Sequence, residues 1–74
     1  MSKLKVAFRP DAYHLQSWMI KELKNRRIDY SINGNIVELP NYTKVEAKDG
    51  KLYIWFGQLY IYLSAKAVDY KEVL

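Results

Sequence analysis

Two tight turns constrain the fold of residues 43–63 more than any other feature of this sequence. Asp49-Gly50 is a dipeptide typical of hairpin turns. Gly57-Gln58 is typical of a type II′ turn, in which glycine comes first. Folding the chain about both turns predicts three antiparallel strands, in which a slip of one residue would exchange the two faces.

The two turns independently place the same side chains on one face of these strands. The opposed pairs on that face are Ala47 with Leu52, Val45 with Ile54, Thr43 with Phe56, Phe56 with Leu59, Ile54 with Ile61 and Leu52 with Leu63. Thr43 is the only polar member of the set. We therefore expect this face to lie against the core and the other face to lie outside.

The outer side of the same strands is predicted to carry aromatic and charged side chains, and we call it the aromatic face. Its residues are Lys44, Glu46, Lys48, Lys51, Tyr53, Trp55, Tyr60 and Tyr62. Trp55 is expected opposite Tyr60, and Tyr53 opposite Tyr62, as direct cross-strand neighbours. Because a soluble monomer rarely leaves a large patch of this kind bare, we expect it to be covered, either by the chain itself or by a partner.

The beginning of the chain predicts a strand followed by an amphipathic helix. Residues 3–8 place Leu4, Val6 and Phe8 on one face, which is typical of a half-buried strand. The helix is expected to run from Ala12 to Arg26. Its predicted N-cap is Asp11. Its buried stripe is predicted to be Ala12, Leu15, Met19 and Leu23. We expect that stripe to meet Val6, Phe8, Ile54 and Ile61.

An Asn-Gly dipeptide at positions 33–34 predicts a further hairpin, because both residues accept the positive φ of a type I′ turn. This turn pairs residues 28–32 with residues 35–39. It also puts Asp29 opposite Glu38, which is mildly unfavourable because the charges are alike. A three-residue loop is the alternative.

These elements predict a two-layer α+β fold in which one amphipathic helix packs on a mostly antiparallel sheet. The expected order is β-α-β-β-β-β-β, in a single small domain of residues 1–74. Residues 64–74 leave two alternatives open. One is a short C-terminal helix capped by Ser64, and the other is an additional strand.

The net charge of +4 is distributed unevenly, because its positive excess lies in the first half of the chain. Most of the excess comes from Lys21, Lys24, Arg26 and Arg27. A basic surface favours acidic partners such as nucleic acid. The alternative is a solvated helix end that complements the helix dipole. On the nucleic-acid reading Lys21 and Lys24 belong to the exposed side, whereas Arg26 lies nearer the buried stripe.

The sequence predicts neither catalysis nor a metal or cofactor site. It has no cysteine and a single histidine, His14, so the usual ligands of a zinc site are too few. Its carboxylates are scattered rather than clustered, as acid–base or magnesium chemistry would require. No apolar run is long enough for a signal peptide or a membrane span. We therefore expect a cytoplasmic protein without a membrane partner.

Three partners could cover the aromatic face: the chain itself, a second copy in a homodimer, or single-stranded DNA or RNA. We predict a non-catalytic small binding module that binds single-stranded nucleic acid. The expected contact residues are Tyr53, Trp55, Tyr60 and Tyr62 for stacking, and Lys44, Lys48, Lys51, Lys21 and Lys24 for phosphates. The alternative is a protein–protein interaction or homodimerisation module that uses the same face.

Overall fold

The computed structural model describes residues 2–74, which contain one α-helix, seven strands and two short 3₁₀ turns. The elements are β1 (Lys3–Phe8), a 3₁₀ turn (Pro10–Ala12), α1 (Tyr13–Asn25), β2 (Ser31–Asn33), β3 (Ile36–Leu39), β4 (Lys44–Lys48), β5 (Lys51–Phe56), β6 (Leu59–Ser64), a second 3₁₀ turn (Ala65–Ala67) and β7 (Val68–Val73). The predicted α+β class is confirmed. The strands, however, form two antiparallel sheets rather than one.

The two sheets divide the strands unequally. We call the four-stranded sheet, with strand order β2-β3-β1-β7, the N-terminal sheet. The three-stranded sheet, with order β4-β5-β6, is the meander sheet. One helix is too narrow to cover seven strands, so the inner faces of both sheets and α1 enclose a common core.

The core draws on both sheets and on the helix. Its buried residues are Leu4, Val6, Phe8, Met19, Leu23, Val37, Leu39, Leu52, Ile54, Ile61, Leu63 and Val68. The predicted helix stripe is confirmed, since Met19 and Leu23 are fully buried and Leu15 packs against the cluster. The cluster also contains each strand residue that the stripe was expected to meet.

The meander sheet has the predicted register. Trp55 lies opposite both Lys44 and Tyr60, and Ile54 lies opposite both Val45 and Ile61. The turn residues have the expected backbone, with φ of +54° at Asp49, +74° at Gly50 and +69° at Gly57. The inward and outward faces of the three strands are therefore those that the turn chemistry predicts.

The first hairpin has a different register from the predicted one. Ile32 lies opposite Val37 and Ser31 opposite Glu38, so its two-residue loop is Gly34-Asn35 rather than Asn33-Gly34. The predicted pairing of Asp29 with Glu38 is therefore wrong. Pairing of β3 with β1 fixes the new register, and the loop is held to the end of β1. The amide of Phe8 donates to the carbonyl of Asn35 at 2.9 Å, and Nδ2 of Asn35 donates back to the carbonyl of Phe8 at 2.9 Å.

The start of the helix also differs from the prediction. Asp11 is not an N-cap, because it lies inside the 3₁₀ turn that precedes α1, and neither element has a side-chain cap. Pro10 occupies the first positions of that turn, where its fixed φ suits a helical start and its missing N–H costs nothing. The amide of Ala12 donates to the carbonyl of Arg9 at 2.9 Å. Proline therefore starts the helical backbone one turn early.

The end of α1 closes in a Schellman motif. The amide of Ile28 donates to the carbonyl of Leu23 at 2.9 Å, and that of Arg27 donates to the carbonyl of Lys24 at 3.1 Å. Arg27 has a φ of +56°, in the left-handed region where glycine is usual. The helix thus ends at Asn25, one residue before the predicted end, and Ile28 packs against the core.

The C-terminal residues form a strand, which is the second of the two alternatives for this segment. β7 pairs antiparallel with β1, with Val68 opposite Phe8 and Val73 opposite Lys3. Ser64 caps no helix, because the turn that follows it has no side-chain cap. Arg9 secures the turn, since its Nε donates to the carbonyl of Lys66 at 2.7 Å. The segment thereby links an edge of the meander sheet to an edge of the N-terminal sheet.

Two polar contacts support the N-terminal sheet. Nζ of Lys3 lies 2.8 Å from a carboxylate oxygen of Glu38, and this hydrogen bond lowers the pKa of Glu38 below its usual range. The hydroxyl of Tyr42 donates to Glu72 at 2.5 Å, which raises the pKa of Tyr42 because the carboxylate favours the protonated phenol. The second contact ties the connection between β3 and β4 to β7.

Candidate binding surface

The aromatic face has three cross-strand rows, each with one residue from β4, β5 and β6. The rows are Lys44, Trp55 and Tyr60; Glu46, Tyr53 and Tyr62; and Lys48, Lys51 and Ser64. The four rings therefore occupy neighbouring positions on β5 and β6, and the lysines lie at the two ends of the patch. This arrangement brings together the four aromatic residues and three of the lysines that the sequence predicts as contacts.

The rings contact one another across the strands. Tyr53 and Tyr62 stack with centroids 5.5 Å apart and an interplanar angle of 28°. Trp55 and Tyr60 have centroids 4.7 Å apart, and Tyr53 and Tyr60 lie 5.9 Å apart diagonally. Tyr60 and Tyr62 are 46% and 47% exposed, whereas Tyr53 and Trp55 are half-buried between their neighbours. The accessible rings of the patch are thus those on β6.

Two of the lysines lie over rings of the patch. Nζ of Lys44 is 5.6 Å from the Trp55 ring centroid, and Nζ of Lys51 is 5.1 Å from that of Tyr62. Exposed cation–π contacts of this kind contribute only about 0.5–1 kcal/mol, so the ammonium groups remain available to an anion. Lys48 lies directly opposite Lys51, which places two positive charges at one end of the patch.

The indole nitrogen of Trp55 is the one buried side-chain polar atom among residues 2–74 that has no hydrogen-bond partner. An unsatisfied buried N–H group costs about 1–3 kcal/mol. Because replacement by phenylalanine removes that group and keeps a ring, Trp55→Phe is a mild change for probing this position.

A groove runs beside the aromatic face, between α1 and the outer edge of β6, and we call it the α1–β6 groove. Its volume is about 240 Å³. It is lined by Trp18, Glu22, Arg26, Tyr60, Ile61 and Tyr62. Nη1 of Arg26 donates to Oε1 of Glu22 within it. The two accessible rings of the patch therefore also form one wall of this groove.

The helix residues beside the patch are not the lysines that the sequence suggests. Lys21 and Lys24 are exposed on α1, whereas the groove is lined by Trp18 and Glu22 of the helix and by Arg26, the residue that caps its C-terminus. Their spacing of four residues puts these three on one side of the helix. That spacing is visible in the sequence. The sequence does not reveal how α1 is rotated relative to β6, and this rotation makes that side of the helix face the patch.

A second cavity, of about 270 Å³, lies at the start of α1. It is lined by Arg9, Asp11, Ala12, His14, Leu15, Ser64, Lys66 and Ala67. Its main cation is already engaged, because Arg9 donates to the carbonyl of Lys66 and lies 3.4 Å from Asp69. His14 lines this cavity together with charged residues. No Phe, Tyr or Trp side chain among residues 2–74 lines it.

Comparison with known proteins gives no relative from which a role could be transferred. No family model matches the chain, and neither the curated proteins nor the solved structures give a significant match.

Residues 2–74 contain no group of three or more His, Cys, Asp or Glu side chains arranged to hold a metal ion. The same part of the chain has no helix with the length and apolar character needed to cross a membrane.

Proposed function

We propose that the protein is a non-catalytic binding module that holds a single-stranded nucleic acid on the aromatic face. The observation that carries this proposal is the pair of half-exposed rings, Tyr60 and Tyr62, in a patch flanked by Lys44, Lys48 and Lys51. Stacking rings combined with nearby cations are the two elements by which proteins hold single strands without reading their sequence. On this proposal the protein acts in the cytoplasm and performs no catalysis.

The spacing of the accessible rings is compatible with an extended strand. Tyr60 and Tyr62 are two residues apart on β6, which corresponds to about 6.8 Å along the strand. Bases stacked on each other in a duplex are about 3.4 Å apart. Two bases that stack on separate rings must therefore be unstacked from each other, as they can be in a single strand but not in a duplex.

The charge of the aromatic face favours a polyanion. Three lysines stand against one carboxylate, Glu46, on the three strands. Each phosphate contact with a single strand contributes about −0.7 to the slope of log K against log salt. Contacts by all three lysines therefore predict a slope of about −2 from this face.

A homodimer or protein partner that uses the same face is the second candidate, because Tyr60 and Tyr62 are about half exposed. Exposed tyrosine rings are typical anchors of a protein interface. Sedimentation analysis over a range of protein concentrations separates the two candidates. Self-association that Tyr62→Ala weakens and that oligonucleotide does not affect would favour the interface.

The test of the proposal is a tryptophan-fluorescence titration with an oligothymidylate at low and high salt. We expect saturable quenching that weakens with salt, since stacking on the patch changes the surroundings of Trp55 and phosphate contacts are screened. Trp18→Phe leaves Trp55 as the only tryptophan, so that the signal reports the sheet alone. Absence of quenching in this variant at low salt would exclude the aromatic face as the binding site.

A further inference from the structure

The α1–β6 groove has aromatic walls on two different elements. Trp18 projects from α1 and is 40% exposed, while Tyr60 and Tyr62 line the groove from β6. Tyr62 also stacks with Tyr53, and Nζ of Lys51 lies 5.1 Å from its ring centroid. With about 240 Å³, the groove is smaller than the roughly 300–1,000 Å³ of sites for drug-sized ligands. Its size therefore suits one planar ring system.

The polar groups of the groove form one ion pair with unused bonding capacity. Arg26 uses Nη1 to bond Oε1 of Glu22. Both carboxylate oxygens of Glu22 can still accept hydrogen bonds, because each has a free lone-pair site, and the remaining guanidinium N–H groups of Arg26 can still donate them. A ligand in the groove would thus meet acceptors and donors side by side.

We propose that the α1–β6 groove binds a single guanine base, turned out of a strand that lies on the aromatic face. Guanine presents two acceptors, O6 and N7, which match the fork of a guanidinium. Its N1–H and N2–H groups are adjacent donors, which match the two oxygens of a carboxylate. No other base of DNA or RNA offers an adjacent donor pair together with that acceptor pair.

Continuity with the aromatic face makes this placement possible. Tyr60 and Tyr62 belong both to the patch and to the groove wall, so a strand stacked on the patch passes the mouth of the groove. One nucleotide can enter while its neighbours keep their contacts on the sheet. The inference therefore rests on the proposed function and adds a base preference to it.

The first experiment follows the two tryptophan indole N–H resonances in ¹H–¹⁵N spectra, assigned with Trp18→Phe and Trp55→Phe. The ligands are an oligothymidylate and the same strand with one central guanine. We expect the thymidylate to shift the Trp55 signal alone. The strand with guanine should shift both signals and bind about tenfold more tightly, which is the usual discrimination by one bidentate contact.

The outcomes separate the inference from the proposed function. Equal affinity for the two strands with no Trp18 shift overturns the guanine site and leaves binding on the aromatic face intact. If neither strand shifts either signal, both proposals fail. If guanosine monophosphate shifts Trp18 but no oligonucleotide shifts Trp55, the groove is supported as a nucleotide site and the proposed function is overturned.

A substitution in the ion pair provides a second test with a distinctive result. Glu22→Gln replaces the two acceptors with one acceptor and one donor, which is the arrangement that pairs with adenine. We expect the variant to lose the preference for a central guanine and to favour a central adenine instead. Lys24→Gln, on the same helix but outside the groove, is the matched control and should keep the guanine preference. If both variants keep it, the groove does not read the base.

Discussion

The outer faces of the two sheets differ sharply, although both sheets consist of short antiparallel strands. The N-terminal sheet turns charged and small side chains outward, with Lys5 between Glu38 and Lys71 and with Ala7 opposite Asp69. Lys5 thus lies between a carboxylate and a second lysine, Ile36 and Val73 share this face, and Lys3 bonds Glu38 at 2.8 Å. The meander sheet instead turns out four rings and three lysines with one carboxylate.

This difference shows that an outer sheet face in this protein does not require aromatic rings. The outer face of the N-terminal sheet in the same protein carries, at its paired positions, charged, polar and aliphatic side chains and no aromatic ring. The inner faces of the two sheets, by contrast, are alike, because both supply aliphatic residues to one core. The difference between the sheets is therefore confined to the surface, which is where a binding function would act.

The largest expected effect distinguishes the two faces of the meander sheet itself. Ile54→Ala removes a fully buried side chain and should lower the free energy of unfolding by about 2–5 kcal/mol. Tyr62→Ala removes a half-exposed ring on the opposite face and should cost about 1 kcal/mol. Urea unfolding followed by circular dichroism measures both. Equal losses would mean that the aromatic face is part of the core and would remove the contrast between the two sheets.

The next effect concerns ligand affinity. Tyr60→Ala should weaken binding of an oligothymidylate by about 1–3 kcal/mol, because one base loses its stacking partner. Tyr13→Ala is the matched control, since Tyr13 is 71% exposed and lies outside the patch. Fluorescence titration of both variants gives the comparison. A similar loss in the two variants would show that exposed rings bind oligonucleotide without regard to position.

The two faces of the meander sheet can be predicted from the sequence alone, because short-range turn chemistry determines them. Asp49-Gly50 and Gly57-Gln58 fix the meander register within a few residues, and alternation then assigns the two faces. The features that the sequence does not reveal depend on contacts between distant parts of the chain. The register of the first hairpin is set by β1, and the split into two sheets depends on β7 returning to β1.

The residues of the candidate site that the sequence did not predict also depend on contacts between distant parts of the chain. Trp18, Glu22 and Arg26 share a helix side by spacing, but only the packing of α1 beside β6 brings them to Tyr60. The wrong N-cap is a local error with a local cause, because Pro10 starts the helical turn before Asp11 can cap it.

A smaller effect tests whether the basic helix end belongs to the binding surface. Arg27 has a φ of +56° at the position after the helix where glycine is usual, so Arg27→Gly should stabilise the fold by about 1 kcal/mol. Oligonucleotide affinity should stay unchanged, because this residue lies outside both the aromatic face and the groove. Thermal unfolding and titration measure the two effects. Loss of affinity would extend the binding surface to the helix end.

The smallest effect concerns the charged face of the N-terminal sheet. Because Lys3 lowers the pKa of Glu38 below its usual value of 4.5, the pair stabilises the fold fully above that pH. The contribution is then lost as the pH falls through the lowered pKa. Glu38→Gln should therefore be less stable than wild type at neutral pH and should lose less stability on acidification. Unfolding free energies at several pH values measure this, and identical acid profiles would exclude the pair as a stabilising contact.

The most direct measurement compares two triple variants that remove equal charge from the two outer faces. One is Lys44→Gln with Lys48→Gln and Lys51→Gln, and the other is Lys3→Gln with Lys5→Gln and Lys71→Gln. Oligothymidylate affinity is measured against salt for both, after circular dichroism confirms that each variant is folded. The aromatic-face variant should bind more weakly, with a salt slope shallower by about 2, and the other should resemble wild type in both respects. Equal losses of affinity and slope in the two variants would contradict binding on the aromatic face.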